Sequence, residues 1–280
     1  MGNEKLLSVI IPTYNRPRQV LRAVESVLGQ GLSAELEILV VDDGNNSITK
    51  EILSHYISSN TIHYLTNPNE HGAAHARNFG VMNSQSKFIT FLDDDDCYLP
   101  GRLKNMLDTM VSDKYIFVSS ARFHEYFNFQ IIKKWPNQLS GIITLNDIRF
   151  VNDIDIGFFI KRIDFLNLGG FDTSFSNLED WDFLIRLLQF GNGYKLDRQD
   201  YAENVDPNRN RNSDGGYKSY RQLAEKHRAI FGEKWYGIMI SIADQMQGSQ
   251  TLQLAILNSF QFSTITPFNL YLKKIFSRRK

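Results

Sequence analysis

A chain of 280 residues, 42% of them hydrophobic, holds enough apolar material for one large α/β domain or two small ones and is not a disordered chain. Lysine plus arginine and aspartate plus glutamate balance at 31 each, so there is no global basic field with which to neutralise nucleic-acid phosphates. A single cysteine, Cys97, excludes an internal disulfide and a multi-cysteine metal site, and points to a reducing, cytoplasmic setting.

The first apolar run, Leu6 to Ile11, is cut by Pro12 and is too short for a signal sequence or a membrane span, and no later run reaches spanning length. It reads as a buried strand, as does Leu36 to Val41. Between them Pro17 opens a helix whose positions Val20, Val24, Val27 and Leu28 share one face. Further strands are predicted over Thr61 to Leu65 and Lys87 to Leu92, with helices near Ile48 to Ile57 and Ala73 to Met82. Such alternation predicts a parallel sheet covered by helices, with ligands bound beyond the carboxyl ends of the strands. After Pro100 the pattern changes to a helix, then to the aromatic-rich stretch Phe117 to Ile132 and to Gly157 to Ile160, read as mixed strands completing the sheet. The turn-rich stretch Asn204 to Gly216 reads as a mobile loop, and the pattern beyond it is helical to the end.

Polar groups collect immediately after the predicted strands: Thr13-Tyr-Asn15, Asp42-Asp-Gly44 and the run Asp93, Asp94, Asp95 and Asp96. Four successive carboxylates repel one another, and a bound cation is the simplest remedy. Oxygen-only ligands favour a hard ion, Mg2+ or Mn2+, which takes one or two carboxylates and completes its shell with substrate phosphate oxygens. The competing reading is a solvated acidic loop that caps the helix starting near Pro100.

The set Val9 to Asn15, Val40 to Gly44, Ala76-Arg-Asn78 with Gly80, Phe91 to Asp96, Gly169 to Asp172 and Glu179-Asp180, in this order, resembles a family 2 glycosyltransferase of the bacterial polysaccharide or O-antigen type. The resemblance spans residues 6 to 190, about two thirds of the chain. It implies an α/β fold of the GT-A type, a Rossmann-like nucleotide-binding sheet, mostly parallel with mixed strands, followed by a C-terminal helical segment. On that pattern residues 1–204 would be the catalytic domain, with a nucleotide-sugar-binding half to about residue 100 and an acceptor-binding half from 101 to 204, and 205–280 the mobile loop and helical extension.

The same resemblance implies inverting transfer from a UDP-sugar, with glucose or galactose as the guess, to a saccharide or lipid-diphosphate-linked oligosaccharide. It places Pro12, Thr13 and Tyr14 beside the nucleobase, Asp42 at the base edge, and Arg77 toward base and diphosphate. Asp93 falls toward ribose and metal, Asp94 on the variable middle position, and Asp95 toward metal and diphosphate; Asp96 has no assigned role. Asp180 would be the general base, Glu179 would orient the acceptor or the base, and Trp181 and Gly170 would line the acceptor site. Read from spacing alone, Glu179 and Asp180 are equally an acidic first turn suited to the helix dipole, and Trp181 a buried ring.

Two features depart from the pattern or sit outside it. The loop Asn204 to Ser213 lacks the histidine that many relatives place there, leaving Asn208, Arg209 or Arg211 as phosphate contacts. His71 and His75 share a helical face, but no third ligand stands nearby for zinc. The alternatives of another class are a metal-dependent phosphohydrolase or nucleotidyltransferase, and a non-catalytic sugar-nucleotide-binding protein. Against the first, Pro12-Thr-Tyr stands where an aspartyl nucleophile would follow the first strand, and there is no Walker loop. Against the second stands the retained Asp180. Finally, Phe268, Leu272, Ile275 and Phe276 share a helical face while Lys273, Lys274, Arg278, Arg279 and Lys280 supply positive charge, an interfacial pattern that predicts peripheral association with an anionic membrane surface; the competing reading is a core-packed terminal helix with a solvated basic tail.

Overall fold

The computed structural model describes residues 5–32, 35–68, 70–136, 138–205 and 216–277, with side chains described as far as 273. The chain divides into two compact units, Met1–Thr173 with Phe183–Asn208, and Ser174–Asp182 with Arg209–Lys280.

The first unit is built on one sheet of β1 (Leu7–Thr13), β2 (Leu36–Asp42), β3 (His63–Thr66), β4 (Phe88–Phe91), β5 (Cys97–Tyr98), β6 (Phe117–Tyr126), β7 (Ile131–Lys134), β8 (Gly141–Ile143), β9 (Phe159–Lys161) and β10 (Gly193–Asn204). Their order is β3-β2-β1-β4-β9-β6-β10-β5, with β7 on β6 and β8 on β10. The β3-β2-β1-β4 half is parallel throughout, and the antiparallel β9 turns the sheet over to the mixed half. Every residue of β1 and β2 is buried, which is why both read as unbroken apolar runs. The polar pair in the middle of this register, Ser8 and Glu37, is joined directly, Ser8 Oγ donating to Glu37 at 2.5 Å.

Helices α1 (Pro17–Leu28), α2 (Ser47–Ile52), α3 (Ser54–Ser58), α4 (Ala73–Asn83), α5 (Arg102–Met110) and α6 (Arg162–Asn167) join these strands. The apolar stripe predicted for α1 is buried at Val20, Ala23, Val24 and Val27. Gly80 lets α4 lie on β1, since a Cβ there would stand 2.5 Å from Ile10 Cγ2. Two expected elements differ: the single helix near 48–57 is broken at Leu53 into α2 and α3, and β3 starts at His63 rather than Thr61. The long strand β10 has no counterpart in the sequence reading. Its polar middle, Asp197-Arg-Gln-Asp200, sits at two register shifts against β6, where alternation breaks down.

Arg102, fully buried, ties this mixed half together. Its guanidinium pairs with Asp155 and Asp200, each at 2.9 Å, and donates to the Gly157 carbonyl at 2.9 Å and to Ser120.

Helix α7 (Glu179–Leu187) has its first four residues in the second unit and the rest in the first. The second unit also holds α8 (Gly216–Gln247), α9 (Leu252–Gln261) and α10 (Thr266–Ser277). Gly232, at φ 80°, interrupts α8, and Arg221 in the first arm meets Asp244 in the second, so the two arms fold back on each other. Thr251 caps α9, accepting from Leu254 N at 3.2 Å. The loop expected over 204–216 lies, from residue 206 to 215, outside the described residues.

Candidate active site

Thr13 pairs in register with Asp42 and Ile10 with Phe91, so the ends of β1, β2 and β4 open on one edge of the sheet. At the end of β1, Pro12 and Thr13 are buried, whereas Tyr14 is 55% exposed. Its ring stands edge-on to His71, with centroids 6.0 Å apart. Asn15, at φ 55°, turns the chain toward the β2 end, where Asn46 Nδ2 donates to its side-chain oxygen at 2.8 Å.

Asp42, expected at the base edge, is fully buried. One carboxylate oxygen accepts from Gly44 N at 2.9 Å, and the other from Asn46 N at 2.7 Å and from Tyr64. Its visible work is thus to hold the turn that faces Tyr14. Burial and then the bond to Asp42 push the Tyr64 hydroxyl up from its ordinary value. Asp43 acts similarly one residue later, accepting from Asn67 at 2.6 Å and from Gly72 N at 2.7 Å at the start of α4.

The acidic run alternates. Asp94 and Asp96 turn inward, at 4% and 5% exposure. Asp94 accepts from Thr13 Oγ1 at 2.9 Å and from Arg16 at 2.8 Å, yet burial outweighs the arginine and raises its pKa to about 6. Asp96 accepts from Tyr201 at 2.7 Å and from Asn204 N at 2.8 Å, and so fastens the end of β10; burial and the neighbouring Asp95 and Asp93 push its carboxyl up. Asp93 and Asp95 are the more open pair, their side chains 38% and 15% exposed. Among the described residues no three His, Cys, Asp or Glu side chains gather into a ligand set. The two partly exposed carboxylates just beyond β4, Asp93 beside Arg77 and Asp95 beside Arg16, nevertheless have the ligand chemistry of a hard divalent ion that draws its remaining ligands from phosphate and water. His71 and His75 face different carboxylates, Asp43 at 3.6 Å and Glu70 at 3.8 Å.

Arg77, on α4, is 4% exposed and reaches Asp93 at 2.6 Å, with its guanidinium 5.9 Å from the centre of the Phe171 ring. The stretch before it in space is pinned by Asn78, which donates to the Phe171 carbonyl at 2.8 Å and accepts from Phe171 N at 3.0 Å. Gly170, expected toward the acceptor, is buried at φ 71°. A Cβ there would meet Asn78 at 2.7 Å, and Arg186 donates to its carbonyl at 2.7 Å, so its role in the structure is this close approach.

The sequence reading missed Arg16, Arg22 and Glu125. Arg16 bridges Asp94 and Asp95, the latter at 3.4 Å. Arg22 donates to the Asp95 backbone carbonyl and pairs with Glu125 at 2.7 Å. A signal was present: three arginines, 16, 18 and 22, at the start of α1 with no acid in its first turn oppose the helix dipole and call for negative partners.

In the second unit, Glu179 and Asp180 are half-buried at the start of α7. Asp180 Oδ1 accepts from Trp181 N at 2.8 Å. The helix is entered through Leu178 at φ 70°, a left-handed conformation uncommon for leucine and of the sort concentrated at functional sites. Trp181, expected at the acceptor, is 1% exposed and stands edge-on to Tyr220, so it packs and offers no sugar-stacking face. Asp182, which the sequence reading left aside, is fully buried and lies 2.8 Å from both His227 Nε2 and Lys226 Nζ on α8. It anchors the helix that presents Asp180.

The family model described as Glycosyl transferase family 2 matches residues 8–173. An uncharacterized glycosyltransferase of Haemophilus influenzae is 32% identical over 191 residues, 66% of this chain and 62% of that protein. Escherichia coli WfgD, named as a UDP-Glc:alpha-D-GlcNAc-diphosphoundecaprenol beta-1,3-glucosyltransferase, is 29% identical over 196 residues, 68% of this chain and 72% of that one. The solved structure of Staphylococcus aureus TarS 1–349 in complex with UDP-GlcNAc superposes with a TM-score of 0.67 at 17% identity, covering 89% of this chain and 74% of that one. The shared fold is therefore the GT-A one. The chain spans less than two thirds of several relatives, 62% of the Haemophilus protein and 20% of one from Rickettsia conorii.

Proposed function

The chain belongs to glycosyl transferase family 2, and on that premise we propose that it is an inverting transferase carrying a hexose, glucose or galactose, from a UDP-sugar to a saccharide hydroxyl. The observation that carries this reading is the alternation of the acidic run, which makes Asp93 and Asp95 the more exposed pair on the edge where Tyr14 is exposed and Arg77 arrives. Pro12 and Thr13 support Tyr14 against the base, Asp42 shapes the facing turn, Asp93 and Asp94 belong to the donor pocket, and Arg77 meets the diphosphate with a guanidinium fork. Asp93 and Asp95 would hold Mg2+ or Mn2+, which when bound neutralises charge on the departing diphosphate.

Asp180 takes the proton of the acceptor hydroxyl as that oxygen attacks the anomeric carbon from the face opposite the diphosphate, and one such displacement inverts the configuration. Glu179 orients the acceptor. In this reading residues 1–204 make up the catalytic domain and 205–280 the extension. The acceptor proposed is a lipid-diphosphate-linked saccharide of surface polysaccharide assembly, which the likeness to WfgD supports.

Among the described residues no helix is long and apolar enough to cross a membrane; the contact proposed with a lipid-linked acceptor is a peripheral one. Support lies in α9, whose Leu252, Ile256, Leu257 and Phe260 are 45%, 39%, 55% and 81% exposed. No charged residue occurs from 245 to 272, and five of the next eight are lysine or arginine, the composition of an interfacial helix with a basic end. Ile275 and Phe276, part of the expected apolar face of α10, lie beyond the described side chains. Product analysis of purified protein with metal, a panel of nucleotide-sugars and a lipid-diphosphate-linked acceptor tests the function. Transfer only from guanosine or thymidine donors, or hydrolysis without transfer, would refute it.

A further inference from the structure

We propose that a cleft beside the acidic run is a second anion site, which takes the phosphate of a phosphate-bearing acceptor; this rests on the transferase reading above. The cleft, of about 670 Å3, is lined by Arg18, Gln19 and Arg22 of α1, by Phe127 and Asn128 of the turn after β6, and by Asn204 at the end of β10. Its volume is that of a small-molecule site. Its polar lining consists of two guanidinium groups and three amides, without a carboxylate, and guanidinium groups match phosphate oxygens in geometry as well as charge.

The two arginines are differently placed. Arg22 is fixed by Glu125, by Asn128 at 3.1 Å and by the Asp95 carbonyl, and its charge is answered by the buried Glu125. Arg18 is exposed, and among the described residues no ion pair or hydrogen bond engages it. It stands in the first turn of a helix that begins with Pro17, where a cation is unfavourable unless an anion accompanies it. The opposite wall is held in a costly conformation: Phe127, Asn128 and Phe129 are left-handed in succession, at φ 53°, 55° and 64°, and Glu125 fixes the turn by accepting from Phe129 N at 3.0 Å. Arg22 touches Asp95 through the backbone carbonyl and not the carboxylate. The cleft therefore adjoins the acidic loop at the Asp95 backbone and takes none of that loop's carboxylates into its lining.

The test compares two soluble acceptors, one saccharide as a short alkyl diphosphate and the same saccharide as a neutral alkyl glycoside. Arg18→Ala should raise KM for the diphosphate acceptor about tenfold, the loss of one charge-assisted contact, with KM for the neutral acceptor and for the donor within about twofold, and Arg18→Lys should recover part of the loss. A rise in donor KM instead would assign the cleft to the donor's diphosphate, and an unchanged or equal KM on both acceptors would overturn the proposal. Titrating the metal-free protein with inorganic pyrophosphate reads the same site without turnover: affinity should fall about tenfold in Arg18→Ala. Loss in Arg77→Ala but not in Arg18→Ala would overturn it. Absence of any transfer by the wild type would sink the transferase reading, and the pyrophosphate titration would still decide the cleft.

Discussion

Arg77 and Asp93 form a pair 2.6 Å apart, one side chain from α4 and the other from the first position of the acidic run. Any diphosphate arriving at Asp93 must meet this guanidinium. Arg77→Lys keeps the charge and loses the planar fork, so donor KM should rise about tenfold or more with the fold intact. Unchanged donor KM would remove Arg77 from the donor site.

Asp95→Ala should lower kcat about a hundredfold or more, the usual loss when a preorganised charge at the leaving group is removed. Chelator should do the same to the wild type, and added Mn2+ or Mg2+ should restore it. Undiminished turnover in chelator would show that no metal is needed.

Asp180→Asn preserves shape and cannot accept a proton. We expect kcat to fall about a hundredfold or more while UDP affinity, read by calorimetry, stays as it was. Should UDP affinity and melting temperature fall together with kcat, Asp180 is a helix-start residue alone.

Burial alone would raise the Glu125 carboxyl, but the Asn204 amide, Phe129 N–H and Arg22 together hold it below its ordinary 4.5. A depressed carboxylate contributes stability that is fully present above its unfolded value and is lost as pH falls through the lower folded value. Glu125→Gln should therefore melt below the wild type at pH 7, with the gap closing as pH falls below about 4.5. A gap independent of pH would mean that the charge contributes nothing.

Leu257→Ser with Phe260→Ser should reduce sedimentation with anionic vesicles about tenfold, from the apolar burial lost. Transfer to a short soluble acceptor should be as before. Binding that survives both the substitutions and high salt would exclude α9 and the basic end as the contact.

β1, β2 and β4 were legible without tertiary knowledge because every residue in them is buried and each strand is followed by polar residues that topology brings to one edge. What happens inside that edge was not. Whether Asp42 faces a ligand or the protein depends on Tyr64, and whether Trp181 stacks or packs depends on Tyr220, partners that no local pattern announces. β10 escaped because a strand that bulges twice carries no period-2 signal. Glu125 and Asp182 were invisible for a related reason: a buried carboxylate looks in sequence like any surface acid until the arginine, lysine or histidine that answers it is known.

The alternation of the four aspartates has a genetic consequence. Losing any one of the four codons yields the same polypeptide, in which three aspartates must serve four places: two inward ones that fasten Thr13 with Arg16 and Tyr201 with Asn204, and two outward ones. The loop must then choose which end of the run to keep in place, since a one-residue slip turns each shifted carboxylate to the opposite side. A mutagenesis screen by codon deletion would thus report one indivisible phenotype at this locus, and only substitution at a fixed position can separate the residue that binds from the residue that braces.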